Sequence, residues 1–415
     1  MTLLINLVNT ILLVFIVLYC LKKKIDSSFF WVAITSLYFI NIPLLYDSFN
    51  IFLIGEENWE RVVEDTNLNW TKGTLKLLNN ISFDSLLFNI AFIFSYFLVK
   101  GKFNYLLPKE QANSLLSNIP WLLCIVICFL TLVLFIYFNQ ITDFSTLQTG
   151  MWYKNRLNNP ILGLIINILV PLNSLVVFKM LAEKKIIFGI ISLIPLIIIA
   201  AISGSRANII SAFFIGFYYL IIVVKKWNVR KILSYFLIGF FAVLFLNYFR
   251  GHLGLYPETK DSSYSDLFYS YSCVDNITTN GEGTLRLLQT GFIHNSDKNY
   301  RDVTTELGNY KYFDGWGSIH PTLLGWAYID LKENYFILAI FIGILLGLID
   351  RFRYLCTDEL NVFFLPYLFT FISVGMRGSL QYAYSILIYP LFILIAIYLY
   401  LRFLNRRIRG NKYEQ

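Results

Sequence analysis

Residues 186–224 read IIFGIISLIPLIIIAAISGSRANIISAFFIGFYYLIIVV, two apolar runs joined by the tip Ser203-Gly204-Ser205-Arg206. Each run, 186–202 and 207–224, approaches the roughly 20 apolar residues that a helix needs to cross a bilayer core. Lys184 and Lys185 precede the first run, and Lys225 and Lys226 follow the second. Two spanning helices account for this pattern, with lysines at one membrane face and an arginine-bearing turn at the other.

The same pattern recurs along the chain. Apolar runs lie near 2–21, 29–46, 81–99, 120–138, 161–181, 186–202, 207–224, 232–249, 333–349, 361–376 and 382–401, which predicts about eleven spans. The composition agrees: of 415 residues, 57% are hydrophobic, 18% aromatic and 14% charged, with mean hydropathy +0.61. Soluble domains carry about 25% charged residues, so a water-soluble or disordered chain is excluded. The expected fold class is an all-α polytopic membrane protein. No Pro- or Gly-rich linker and no internal repeat divides it, so residues 1–415 read as a single membrane domain.

Charge then orients the spans. The first run is followed by Lys22, Lys23 and Lys24 and preceded by no basic residue, the reverse of a signal peptide. Alternating from there places the main basic junctions on one side: Lys100, Lys102 and Lys109; Lys184 and Lys185; Lys225, Lys226, Arg230 and Lys231; Arg351 and Arg353; and the tail from Arg402 to Lys412. Cytoplasmic loops carry such an excess, so the N-terminus is expected outside and the C-terminus inside. This also explains the net charge of +8 without nucleic acid, because no basic run is interleaved with exposed aromatics.

Four outside segments have substance: 47–80, 139–160, the tip from Ser203 to Asn208, and the loop 250–332 between spans eight and nine. The last far exceeds ordinary connection lengths. Tyr264, Phe268, Tyr269, Tyr271, Tyr300, Tyr310, Tyr312, Phe313, Trp316 and Trp326 make it too aromatic for disorder, so an ordered, partly helical cap is expected.

Arg206, Arg250 and Arg377 all fall at outer helix ends beside glycine or serine. An arginine there is either an interfacial anchor or a planar fork for phosphate. Arg156, in Trp152-Tyr153-Lys154-Asn155-Arg156, is a fourth such residue. Of the three histidines, His252, His294 and His320, the last stands in Gly315-Trp316-Gly317-Ser318-Ile319-His320-Pro321, just before the amphipathic stretch Leu323 to Leu331. It can serve as a general base near neutral pH or merely hydrogen-bond locally at a helix start. Asp314, Asp330, Glu306 and Glu282 are acidic alternatives. No histidine or cysteine spacing predicts a metal site, and no phosphate-loop, GxSxG or HExxH motif occurs. The spans carry almost no charge at mid-membrane, which argues against an ion-coupled carrier. Asn69, Asn80 and Asn276 head glycosylation-type triplets of a kind that arises readily by chance.

Together these features resemble the bacterial Wzy-type O-antigen and capsule repeat-unit polymerases. The layout of eleven spans, the Ser-Gly-Ser-Arg tip, Arg250 opening a large outer loop and Arg377 before the last span are similar to that family. The run Gly317-Ser318-Ile319-His320-Pro321, followed by Tyr328, Gly343 and Gly347, resembles the histidine-containing stretch shared with O-antigen ligases, although Pro321 stands where an Asn is usual. The resemblance implies a GT-C-like glycosyltransferase of the bacterial inner membrane, with a periplasmic N-terminus and a cytoplasmic C-terminus. Donor and acceptor would be glycans on undecaprenyl diphosphate, with membrane lipid around them and no cofactor. His320, Arg206 and Arg250 would be catalytic; Arg377, Arg156, Tyr248 and Trp316 would bind diphosphate and glycan. It also implies a polysaccharide chain-length regulator as partner. An O-antigen ligase and a lipid-linked oligosaccharide flippase are the alternatives, the large loop separating the flippase from the first two. A membrane acyltransferase is disfavoured, since no histidine precedes His252.

Overall fold

The computed structural model describes residues 1–23, 25, 27–59, 74–101, 119–138, 185–203, 320–355 and 371–378, with isolated positions at 168–183, 291, 368 and 392–403. These residues are overwhelmingly helical. The chain divides into two compact units: Met1–Leu106, Glu258–Leu355 and Ile372–Tyr382 form the first, and Leu107–Pro257, Cys356–Phe371 and Ala383–Gln415 the second.

In the first unit, α1 (Thr2–Lys23) is followed by α2 (Ser28–Ser36), a π turn (Leu37–Asn41) and α3 (Ile42–Ile54), the last three running on as one 27-residue helix. The Ser27 side chain caps α2 by accepting the Phe30 N–H at 3.2 Å. Pro43 has no N–H to donate, and the π turn directly before it absorbs the break in the ladder. Gly55, at φ 86°, ends α3. Then come α4 (Thr74–Lys100) and, late in the chain, α7 (Leu323–Leu331), a 3₁₀ turn (Lys332–Asn334) and α8 (Phe336–Leu355). The second unit contains α5 (Trp121–Phe138) and α6 (Ile186–Ser203).

Among the described residues three helices are long and apolar enough to cross a membrane, α1, α2–α3 and α4, and a fourth if the bent pair α7–α8 counts as one span. Their outward surface is apolar: Leu4, Ile11, Phe15 and Leu18 of α1 and Phe94 and Leu98 of α4 are exposed. Faces of this kind suit a lipid surrounding. The predicted runs 120–138 and 186–202 coincide with α5 and α6. Those at 207–224 and 232–249, and most of 161–181, 361–376 and 382–401, lie outside the described residues.

Three spans differ from expectation, the one predicted at 333–349 being α8, from Phe336 to Leu355. The span predicted at 29–46 continues as helix to Ile54, and the span predicted at 81–99 begins at Thr74, so much of the outer segment 47–80 is helical. Asp47, Ser48 and Asn50 resemble loop residues by polarity, yet all three are buried. Ser48 and the Leu44 carbonyl accept the Asn6 amide of α1 at 2.6 and 3.2 Å. Asn6 also donates to Ser82 of α4 at 2.9 Å. Asn9 donates to Ser85 at 3.2 Å and accepts from Asn89 at 2.9 Å. Interhelical bonds of this kind hold apolar helices together where the hydrophobic effect contributes little.

Close backbone approach provides the rest. On α8, a Cβ at Gly343 would lie 2.7 Å from the Phe92 carbonyl oxygen and 3.0 Å from the Tyr96 nitrogen, and one at Gly347 would lie 2.9 Å from the Tyr96 oxygen. Gly343-x-x-x-Gly347 is thus a small-residue seam against α4. The contacts 6–82, 9–85, 343–92 and 350–96 fix the direction of travel: α1, α4 and α8 run the same way. Their basic ends, Lys22 and Lys23, Lys100, and Arg353, therefore gather at one end of the unit, with Met1 at the other.

In the second unit, Lys185 lies 4.1 Å over the Trp121 ring, which packs edge-on against Phe188 at 5.2 Å. Glu183 bridges Lys179 and Lys185 in the connection before α6.

Candidate functional site

His320 lies two residues before Thr322, whose extended backbone and side-chain oxygen, accepting the Gly325 N–H at 3.4 Å, begin α7. The helix occupies Leu323–Leu331, the stretch expected to be amphipathic. One face carries Leu323, Leu324, Ala327 and Tyr328, all buried, and Asp330 is exposed. At Lys332 the backbone takes φ 50°, a conformation that costs about 1–3 kcal/mol for a side chain with a Cβ. The chain then bends by 119° into α8.

A carboxylate on another helix secures this corner. Asp84 of α4 accepts the Tyr328 hydroxyl on Oδ2 at 2.6 Å and the Tyr335 hydroxyl on Oδ1 at 2.7 Å. The two rings meet edge-to-face with centroids 5.2 Å apart. One acidic side chain thus ties α7, and with it the segment bearing His320, to the Met1 half of the unit.

Beside Asp84 lies an open cleft of about 400 Å³. The described residues lining it are Met1, Ile5, Asn79, Asn80, Phe83, Asp84, Glu333 and Tyr335. The Asn79 Oδ1 atom is shielded from solvent and has no hydrogen-bond partner. At the opposite, basic end, the polar atoms form a closed cluster. Asp350 accepts from the Ser28 N–H at 2.7 Å and hydroxyl at 2.8 Å, the Tyr96 hydroxyl at 2.5 Å and Arg353 at 3.1 Å. The Lys100 ammonium lies 5.5 Å from the centre of the Tyr96 ring.

Of the residues predicted to act, His320 and Arg377 are described. Both are half-buried and belong to the first unit, Arg377 in a helical turn closed by the Gly378 N–H on the Val374 carbonyl at 3.0 Å. Arg206, Arg250, Arg156, Tyr248 and Trp316 lie outside the described residues, as do His252, His294, Asp314, Glu306, Glu282 and most of the cap 250–332. Among the described residues no three His, Cys, Asp or Glu side chains gather to hold a metal.

The glycosylation-type triplet at Asn80 is overruled by the fold. It lies within α4, where Ser82 is fully buried and donates to the Leu78 carbonyl at 2.7 Å. The clamp by Asp84 was not foreseen; its only signal was a carboxylate inside an apolar helix, which is costly there and calls for partners. Asn79 and Asn80 each lie four residues before Phe83 and Asp84, a spacing that puts them on one helix face. No protein-family model matches this chain, and no curated protein and no solved structure matches it either.

Proposed function

We propose that this protein is a glycosyltransferase that joins undecaprenyl-diphosphate-linked oligosaccharide repeat units at the periplasmic face of the bacterial inner membrane, an O-antigen or capsule polymerase. In this reading the chain has about eleven spans and a GT-C-like architecture. The observation that carries it is the placement of α7. The helix headed by His320 is clamped by Asp84 in the half of the first unit away from Lys22, Lys23, Lys100 and Arg353. Basic helix ends face the cytoplasm, so the histidine belongs to the outer side, where lipid-linked glycans are joined. The bend between α7 and α8 supports the same reading, because a broken helix packed within protein is a usual frame for a substrate site in membranes.

The reaction would run as follows. A hydroxyl oxygen of the acceptor unit attacks the anomeric carbon of the donor glycan, and the bond from that carbon to the diphosphate oxygen breaks. His320 takes the hydroxyl proton. The electron pair leaves with undecaprenyl diphosphate, whose charge Arg206, Arg250 and Arg377 neutralise. Arg156 adds a weaker contact, and Tyr248 and Trp316 line the glycan path. General-base help is worth about 10²–10⁴-fold, and fixed positive charge at the leaving group a comparable factor. The glycosyl–diphosphate bond supplies the driving force, so neither nucleotide nor metal is invoked. A chain-length regulator is the expected protein partner.

Surface polysaccharide from a strain deleted for the gene, displayed on a gel, tests this. The expected result is core bearing a single repeat unit, a full ladder on return of the wild type, and no ladder with His320→Ala or the Arg206→Ala/Arg250→Ala double variant at normal protein level. Loss of every repeat-bearing band on deletion would instead favour the flippase or ligase. A full ladder from the double arginine variant would refute the mechanism.

A further inference from the structure

We propose that the cleft between the Met1 end of α1, the Asn79–Asp84 face of α4 and the turn Glu333–Tyr335 is a subsite for an uncharged sugar ring; this rests on the glycan-polymerising reading and names what that end of the molecule holds. The cleft, at about 400 Å³, falls in the range of about 300–1,000 Å³ typical of small-molecule sites. Its lining decides the chemistry. Asn79 and Asn80 each offer a donor pair and an acceptor, while Asp84 and Glu333 offer acceptors only. Each Asp84 oxygen takes one tyrosine hydroxyl, leaving a second lone pair on both.

Vicinal hydroxyl groups suit such a set, since each can donate to a carboxylate while accepting from an amide. Phe83, half exposed one turn from Asn79, provides an aromatic face for the C–H side of a ring. No lysine or arginine occurs among the described lining residues, and the two carboxylates outweigh the single positive charge of the Met1 amino group, so a phosphate or diphosphate is disfavoured. The cleft therefore fits a neutral sugar and not the lipid diphosphate, which is left to the arginines.

The test uses the full chain in lipid nanodiscs with Ile5→Cys, in the cleft lining on α1, as reporter and Asn334→Cys, in the turn Glu333–Tyr335, as a second, neither residue having a part in holding the ring. A membrane-impermeant maleimide labels each cysteine, and labelling of the unsubstituted chain, which has five cysteines, is subtracted. The probe is the repeat-unit oligosaccharide released from its lipid by mild acid. At about ten times its dissociation constant roughly nine sites in ten are filled, so labelling should slow about tenfold at both positions. Asp84→Asn added to either reporter should abolish most of that protection. Unchanged labelling at both positions, or protection by calcium ions and not by the oligosaccharide, would overturn the subsite. A strain that still makes full-length polymer without the gene would instead overturn the polymerase reading, whatever the labelling shows.

Discussion

At the basic end of the first unit Asp350 is enclosed by Ser28, Tyr96 and Arg353, whereas at the Met1 end Asp84 takes two tyrosine hydroxyls beside an open cleft. Both are carboxylates on apolar helices, and both join helices distant in sequence. They differ in what is left over. Around Asp350 a cation balances the charge and four donors share its two oxygens, so the cluster acts on the fold. Around Asp84 the described lining of the cleft has no lysine or arginine side chain, the Met1 amino group being its one positive charge, and Asp84 retains free acceptors, as at a place where polar groups wait for a ligand. A carboxylate on an apolar helix is therefore not a functional site by type alone; its remaining hydrogen-bonding capacity separates the two cases.

Breaking the closed end should have the largest effect on stability. Asp350→Ala leaves Arg353, the Tyr96 hydroxyl and the α2 amide without their common acceptor, at a cost of about 3–5 kcal/mol as for other severed buried pairs. A large drop in the melting temperature of detergent-solubilised protein checks it. Asp350→Ala with an unchanged melting temperature would remove the distinction between the two ends.

Gly343→Leu should come next. Its Cβ would meet the Phe92 carbonyl oxygen at 2.7 Å and the Tyr96 nitrogen at 3.0 Å, backbone atoms that cannot turn aside as a side chain can. Separating α8 from α4 should cost at least the upper part of the about 1–3 kcal/mol usual for overpacking. Because α8 carries the corner with α7, polymer should fall along with stability, and Gly343→Ala should be the milder of the two by melting temperature.

The smallest effect lies in the second unit. Burial alone would raise the Glu183 carboxyl, but hydrogen bonds from Lys179 and Lys185 outweigh it and hold it below its ordinary value. A carboxyl depressed in the folded state stabilises above its unfolded value, and that contribution disappears as the pH falls below roughly 4. Glu183→Gln should therefore lower stability by about 1 kcal/mol at neutral pH, and melting curves of variant and wild type should converge in acid.

Much of the helical frame was legible from residues alone. The apolar runs at 2–21, 120–138 and 186–202 end within two residues of α1, α5 and α6, because lysines or a proline bound them. The stretch heading from His320 into Leu323–Leu331 was equally plain. The polar seam was not. Asp47, Ser48 and Asn50 look like loop residues until Asn6 of another helix is placed opposite them, and one sequence does not tell a buried interhelical face from a solvated one. The candidate site shared this difficulty: nothing local to Asp84 announces Tyr328 and Tyr335, which are 244 and 251 residues away.

The most direct test of the central claim is reconstitution of the full chain in nanodiscs with one lipid-linked repeat unit as both donor and acceptor, in buffer without nucleotide, followed by mass spectrometry of the glycans. The expected result is a ladder of whole-number multiples of the repeat, with one undecaprenyl diphosphate released per bond formed and no ladder with His320→Ala. A wild-type chain that stays folded and binds the substrate yet forms no glycosidic bond would contradict it.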